Sequence, residues 1–243
     1  MIETLPEAGS TNTVLAHRLR AGEPVPEAFW LRAERQTAGR GRAGRAWTEA
    51  HGNLYASTVV RVGLGDPPAH TLSLVAGLAV HDLLMMQLLV GRAGPGAHRW
   101  LKWPNDLLVN GAKIAGILCE RVGDAIIVGI GINVAAMPEV DGRQVTCIQR
   151  SNPHNTNDAA AILRMLATSF ADRLARWRDH PLSVMLVEWE ERAHAKGTSL
   201  SVADGDIRLH GSFDGLASDG ALRLALVDGS TRIIHAGDVE LED

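Results

Sequence analysis

The sequence predicts an α+β protein, with helices packed on a largely antiparallel sheet and a small β-barrel following it. Three observations carry this. First, Leu107-Leu108-Val109 and Ile114 to Cys119 flank Asn110-Gly111, a dipeptide that accepts positive φ at both turn positions and so marks a hairpin. Ala125 to Val134 adds a further strand, making this stretch an antiparallel meander. Second, long helical patterns lie on either side of the meander, at 70–90 and at 158–178. Third, the character changes at Thr198 to short alternating runs punctuated by Asp-Gly and Ala-Gly pairs, the pattern of a five-stranded barrel. The expected division is 1–197 for the main domain and 198–243 for the barrel.

From the N-terminus, residues 11–20 read as a short helix capped by Ser10 or Thr11, with Val14, Leu15 and Leu19 apolar. Phe29-Trp30-Leu31 and Leu54 to Val62 read as strands around a loop rich in Gly and Arg. The apolar helix at 70–90 ends at Gly91, before a loop over 92–96. Ser73, His81, Asp82 and Gln87 inside it argue for a core helix over a membrane span. Asp158 to Arg178 carries Ile162, Met165, Leu166, Phe170, Leu174 and Trp177 at helical spacing. Leu182 to Ala195 reads as another helix, opened by Pro181 and stopped at Gly197. The barrel strands are Leu200 to Val202, Ile207 to Phe213, Leu222 to Val227 and Thr231 to Ile234, with a fifth after Gly237. There is no internal repeat and no low-complexity tract.

Composition narrows the function. With 46% hydrophobic and 21% charged residues, a globular core is affordable and disorder is excluded. A net charge of −4 gives no whole-molecule field for nucleic acid or anionic membrane. Cys119 and Cys147 fit no disulfide or zinc spacing, and the first residues show no basic-then-apolar leader. A cytoplasmic protein that binds neither DNA nor membrane is expected.

Four segments carry chemistry. Gln36 to Trp47 alternates glycine and arginine, so backbone can approach a ligand closely while guanidinium groups converge on anionic oxygens. Its Gly39-x-Gly41-x-x-Gly44 spacing resembles a dinucleotide fingerprint, but no helix follows it. An RNA-binding Gly/Arg tract would be repetitive, and this one is short and set between strands. A solvated basic turn leaves so many alternating arginines and glycines unexplained. In Lys102 to Leu118, Lys113 stands at the start of a strand, with Asn105 and Asp106 one strand earlier. Such a lysine suits a phosphate or developing negative charge; as a residue alone it equally suits an edge strand kept from aggregating. Gly129-x-Gly131-x-Asn133 ends an apolar strand in an amide that fits either an adenine edge or a structural hydrogen bond. Ser10-Thr11-Asn12 by itself is an ordinary helix cap.

In this order and register, Ser-Thr-Asn, Gln-x-x-Gly-Arg-Gly-Arg-x-Gly-Arg-x-Trp, Lys-Trp-Pro-Asn-Asp with Lys-x-Ala-Gly-Ile-Leu, and Gly-x-Gly-x-Asn resemble the biotin–protein ligase family. The resemblance implies a mixed sheet of the Src-homology-2-like, class A synthetase type, followed by a Src-homology-3-like barrel. It implies biotin and ATP with Mg²⁺ as substrates, with no tightly bound prosthetic group, and a biotin carboxyl carrier protein or domain as partner. Ser10, Thr11, Asn12 and Gln36 would surround the ureido ring, whose N–H groups and carbonyl suit hydroxyl and amide partners. The backbone from Gly39 through Arg40 and Gly41 to Arg42 would close over biotin. Arg40, Arg42, Arg45 and Lys113 would neutralise carboxylate and α-phosphate, Arg42 and Lys113 as the catalytic pair. Trp47, Asn105 and Asn133 would hold the adenine, with Gly129 and Gly131 beside the nucleotide and Asp106 near the phosphates or Mg²⁺. Longer members carry a DNA-binding helix-turn-helix domain before Ser-Thr-Asn; here that motif begins at residue 10, so a ligase without repressor function is expected. The alternatives are a lipoate–protein ligase of the same fold and a non-catalytic nucleic-acid-binding module.

Overall fold

A computed structural model describes residues 1–89, 99–140, 142–204 and 207–242. The loop expected over 92–96 and the Asp204-Gly205 turn fall partly or wholly outside them. The main sheet is mixed. Its strands are β1 (Ile2–Ala8), β2 (Trp30–Gln36), β3 (Leu54–Arg61), β4 (Arg99–Lys102), β5 (Asp106–Val109), β6 (Ala112–Val122) and β7 (Ala125–Ile132), in the order β1-β2-β3-β7-β6-β5-β4. Asn110 and Gly111 turn between β5 and β6 at φ of 51° and 80°, the left-handed pair that a tight hairpin with native twist requires. All neighbours in this sheet are antiparallel except β1 and β2, which run parallel across helix α1 (Thr11–Arg20).

β1 has no sequence counterpart above, and its burial explains why. As an edge strand it alternates only weakly, and it contains Pro6, whose missing N–H is tolerated at an edge. β4 also escaped, being four residues long.

The two faces of the sheet differ. On one, helices α2 (Leu72–Leu89) and α4 (Ala159–Asp179) cover the even residues of β7, Ile126 to Ile132, in the main core. α2 is 78% buried over its apolar window, a core helix. Asp158 caps α4, its side chain accepting from the Ala161 N–H at 2.7 Å. On the other face, α1 packs Leu15 and Ala16 on Leu31, Val59, Ala125 and Ile127. The odd residues of β7 beyond α1 are Gly129 and Gly131, so the covered face gives way to a hollow. The C-terminal part of this face carries no side chains of its own at Gly129 and Gly131, which lets groups from other segments come down onto the strand there.

Two helices also depart from the sequence reading. α5 (Leu182–Glu190) stops well before Ala195, because Ala193 forms a parallel bridge with Leu101 and the Arg192 carbonyl accepts from the Leu101 N–H. A short helix, α3 (Ile148–Ser151), was not anticipated.

The C-terminal unit is a five-stranded antiparallel sheet of the Src-homology-3-like type. Its strands are β8 (Ser199–Asp204), β9 (Ile207–Leu216), β10 (Leu222–Leu226), β11 (Thr231–Ile234) and β12 (Asp238–Leu241), ordered β11-β10-β9-β8-β12. Leu200, Phe213, Leu222 and Val239 belong to the same apolar cluster as α2 and β7, so one core runs through both sheets. Hydrogen bonds reinforce the join: Trp103 Nε1 donates to the Gly220 carbonyl and the Leu216 N–H donates to Glu190.

Candidate active site

The hollow beyond α1 is a cavity of about 420 Å³. Antiparallel register fixes its floor: Gly129 lies opposite Leu118, and Gly131 opposite Gly116. A Cβ at Gly129 would sit 2.3 Å from Asn12 Oδ1, and one at Gly131 2.6 Å from Trp47 Cε2. A Cβ at Gly116 would also meet the indole at 2.6 Å. Glycine is required at these positions because side chains from α1 and the Gly/Arg loop rest directly on the strands.

At the Gly129 level the walls are hydroxyl and amide groups, with the one charged pair there, Arg40 and Glu120, joined to each other. Ser10 occupies the cap position of α1, yet its side chain makes no capping bond; it is buried and lines the cavity. The Thr11 N–H donates to Gln36 Oε1 at 3.0 Å. Ser57 Oγ donates to Asn12 Oδ1 at 2.6 Å and lies 2.7 Å from Thr11 Oγ1. Asn12 Nδ2 donates to Glu120 Oε2 at 2.7 Å, so the Asn12 amide is committed to protein partners.

Two residues along the strands, roughly 7 Å away at the usual strand rise, the character turns cationic. Lys113 Nζ donates to Asp106 Oδ1 at 2.6 Å across the hairpin and stands 5.2 Å from the Trp47 ring centroid. Its side chain is only 20% exposed, which removes the reading as a solvated edge-strand lysine. Arg42 NH1 donates to Asn105 Oδ1 at 3.4 Å; burial pushes its pKa down, against the pull of Asp106 and Asp238. Arg45 NH1 donates to Asp238 Oδ2, on β12, at 2.5 Å. Burial also lowers the pKa of Lys102, partly offset by Asp106.

The Gly/Arg loop closes on itself as a small hairpin. The Gly41 N–H donates to the Arg45 carbonyl at 2.7 Å and the Trp47 N–H to the Gly39 carbonyl at 2.9 Å. Ala43 and Gly44 turn the chain with φ of 53° and 73°.

The residues singled out in the sequence thus converge on one cavity, with two exceptions and one relocation. Gly39 stands behind the lining, pressed against Gln36 and the Trp47 carbonyl. Asn133 does not line it either. It is 2% exposed, its Nδ2 donates to the Thr146 carbonyl and its Oδ1 accepts from Asn53, so here its amide serves the structural role that was the alternative to adenine. Arg40 pairs with Glu120 at 2.9 Å, at the Gly129 end of the cavity and away from Lys113, so the two charges there offset each other.

Residues 7–135 match the model of the biotin/lipoate A/B protein ligase family, and 200–242 match the biotin protein ligase C-terminal domain. The biotin–[acetyl-CoA-carboxylase] ligase of Mycobacterium tuberculosis is 35% identical over 98% of this chain and 88% of its own. The chain belongs to the biotin protein ligase family. The corresponding ligase of Paracoccus denitrificans is 34% identical over 94% of this chain and 97% of its own. Among solved structures, the Aquifex aeolicus biotin protein ligase in complex with biotin and ATP superposes with a TM-score of 0.83 at 27% identity, covering 99% of this chain and 98% of that one. The family motifs are therefore carried here by a cavity whose two ends differ in charge. Ser57, Glu120, Arg143 and Asp238 also belong to this ligase site or its immediate support, and no motif pointed to them. Ser57 sits in an apolar strand as a buried hydroxyl, which is the signal that could have found it.

Proposed function

We infer that this chain is an ATP-dependent biotin–protein ligase, which activates biotin to biotinyl-5′-AMP and passes it to a lysine of a carrier protein such as the biotin carboxyl carrier of acetyl-CoA carboxylase. The observation that carries this is the division of the cavity, hydroxyl- and amide-lined with its one Arg–Glu pair self-neutralised around Gly129, and cationic around Gly131. Biotin is itself divided in this way, with a neutral ureido ring at one end and a carboxylate at the other.

In this reading Ser10, Thr11 and Gln36 meet the ureido group, and Asn12 holds them in place through Ser57. Arg42 and Lys113 neutralise the carboxylate and the α-phosphate, whose mutual repulsion otherwise opposes approach. A carboxylate oxygen attacks the α-phosphorus, the bond to the β-phosphate breaks, and pyrophosphate leaves. Arg45 and Arg143, both lining the cavity, lie where the outer phosphates pass. Trp47 and Asn105 border the nucleotide. Among the described residues no group of three or more His, Cys, Asp or Glu could cage a metal ion, and Asp106 is the one carboxylate in the lining. Asp106 would be the residue to face a Mg²⁺ ion, which would supply further charge neutralisation. With the Gly/Arg loop excluding water, the acyl adenylate survives until the carrier's lysine amine attacks the acyl carbon and AMP departs.

The test is pyrophosphate exchange with ATP and either biotin or lipoate, followed by labelling of a biotin carboxyl carrier domain. Exchange that depends on biotin is the expected result. Exchange that requires lipoate and ignores biotin overturns it.

A further inference from the structure

Arg40 and Asn12, to which the family resemblance gives a ligand, are bonded here to Glu120, a residue outside every motif. Glu120 lies on β6 two residues beyond Leu118, on the cavity side of the strand. Its Oε2 accepts from Asn12 Nδ2 at 2.7 Å, and its two oxygens stand 2.9 and 3.0 Å from Arg40 NH2. Asn12 continues the chain by accepting from Ser57, Ser57 touches the Thr11 hydroxyl, and Thr11 donates to Gln36. An unbroken path therefore runs from the Gly/Arg loop, through one carboxylate, to the polar end of the cavity.

Charge and burial show what the path can do. The Glu120 side chain is 30% exposed and that of Arg40 48%, so the outer link is an ion pair that can open, whereas Asn12 is 3% exposed and Ser57 is fully buried. The inner links are held by burial and by bonds at both ends of the Asn12 amide, which lies close over the bare backbone of Gly129. A labile link at the loop joined to a rigid one at the pocket is the arrangement of a hinge stay.

We propose that Glu120 is a positioning residue that ties the closed Gly/Arg loop to the hydrogen-bonding end of the cavity through Arg40 and Asn12. One carboxylate does two separable jobs. Its bond to Asn12 orients Ser57, Thr11 and Gln36 for the substrate ring, and its bond to Arg40 holds the loop shut over the activated intermediate. The inference rests on the biotin ligase reading and deepens it.

The experiment compares Glu120→Ala, which loses both bonds, with Glu120→Gln, whose amide oxygen still accepts from Asn12 but whose charge no longer holds Arg40. Biotin KM, ATP KM, the release rate of biotinyl-5′-AMP and the melting temperature are measured against the wild type. Wild-type exchange activity is established first, so failure of the ligase reading is seen separately. Glu120→Ala is expected to raise biotin KM about tenfold, the scale of one charge-assisted hydrogen bond, with ATP KM unchanged. Glu120→Gln is expected to raise biotin KM by less than half that factor while releasing the adenylate as fast as the alanine variant. Wild-type biotin KM and adenylate release in Glu120→Ala overturn the proposal. So do equal behaviour of the two variants in biotin KM, or a rise in both substrates' KM that tracks a lowered melting temperature.

Discussion

Lys113 shows how a single side chain gains a role from its surroundings. On an exposed strand its ammonium would be a solvated charge; here it is mostly buried, bonded to Asp106 and set beside Trp47. A preorganised cation of this kind costs no reorganisation when charge develops on the α-phosphate. Lys113→Ala is therefore expected to slow adenylate formation by roughly two to three orders of magnitude. It also leaves the Asp106 carboxylate without its nearest partner, so stability should fall by about 1–3 kcal/mol. Single-turnover pyrophosphate release measured well below the variant's own melting temperature separates the two effects. Near-normal adenylation under those conditions returns Lys113 to a structural role. Asn12 and Asn133 make the opposite point: both are polar and near the cavity, yet the protein already uses their amides.

At the scale of the element, β7 does two things along one strand. Its even residues feed the core under α2 and α4, and its odd residues first pack under α1 and then disappear into glycine. Period-two alternation assigns the faces, and the absence of side chains at Gly129 and Gly131 creates the floor. Gly131→Ala tests this. Its Cβ would lie 2.6 Å from Trp47, so the indole must shift off the floor and its 5.2 Å placement beside Lys113 is disturbed. We expect a melting cost of about 1–3 kcal/mol, as for overpacking, together with a clear rise in KM for both biotin and ATP. Unchanged KM values for this variant refute the floor role. The β5–β6 hairpin works similarly: its Asn110-Gly111 turn fixes which residues face each other and so sets Lys113 within reach of Asp106.

Across the whole molecule, the net charge of −4 and the cationic pocket coexist because Arg42, Arg45, Lys113 and Arg143 gather at one end of a cavity whose lining holds a single carboxylate, Asp106. The C-terminal sheet takes part in that concentration through Asp238, which holds Arg45 and lies within 3.4 Å of Arg143. The two sheets meet near His194, which lies between α5 and β8 and is 5% exposed. Burial, with Lys102 adding repulsion, holds its pKa down to about 4. A histidine depressed in this way is neutral in the folded state and charged in the unfolded state between about pH 6.5 and 4. The unfolded state binds the extra proton, so stability falls with pH across that window, by up to about 1.4 kcal/mol per unit. Asp82, held at about 2 against burial by His81 and Arg173, adds its loss only at pH below the ordinary aspartate range, so the two are separable. Melting temperatures between pH 7 and 4.5 should drop steeply in the wild type and less in His194→Gln. Equal slopes in the two proteins contradict the assignment.

The sequence by itself determined the elements whose signals are local. The Asn110-Gly111 turn, the helical spacing of 158–178 and the alternation of the small barrel all depend on neighbours a few residues apart. Local chemistry marked the Gly/Arg loop as a ligand-binding segment, but it was the resemblance of four motifs in order that gathered most of the cavity lining into one site. What only the tertiary structure decided depends on distant partners. β1 is a strand because β2 gives it hydrogen bonds, and α5 ends early because Leu101 claims the chain beyond it. Arg40 belongs to Glu120, eighty residues away in the chain, and Asn12 to the same carboxylate across a separation of 108. A hydrogen-bonding side chain takes whichever partner the fold delivers in a low-dielectric site, and no local pattern encodes that choice.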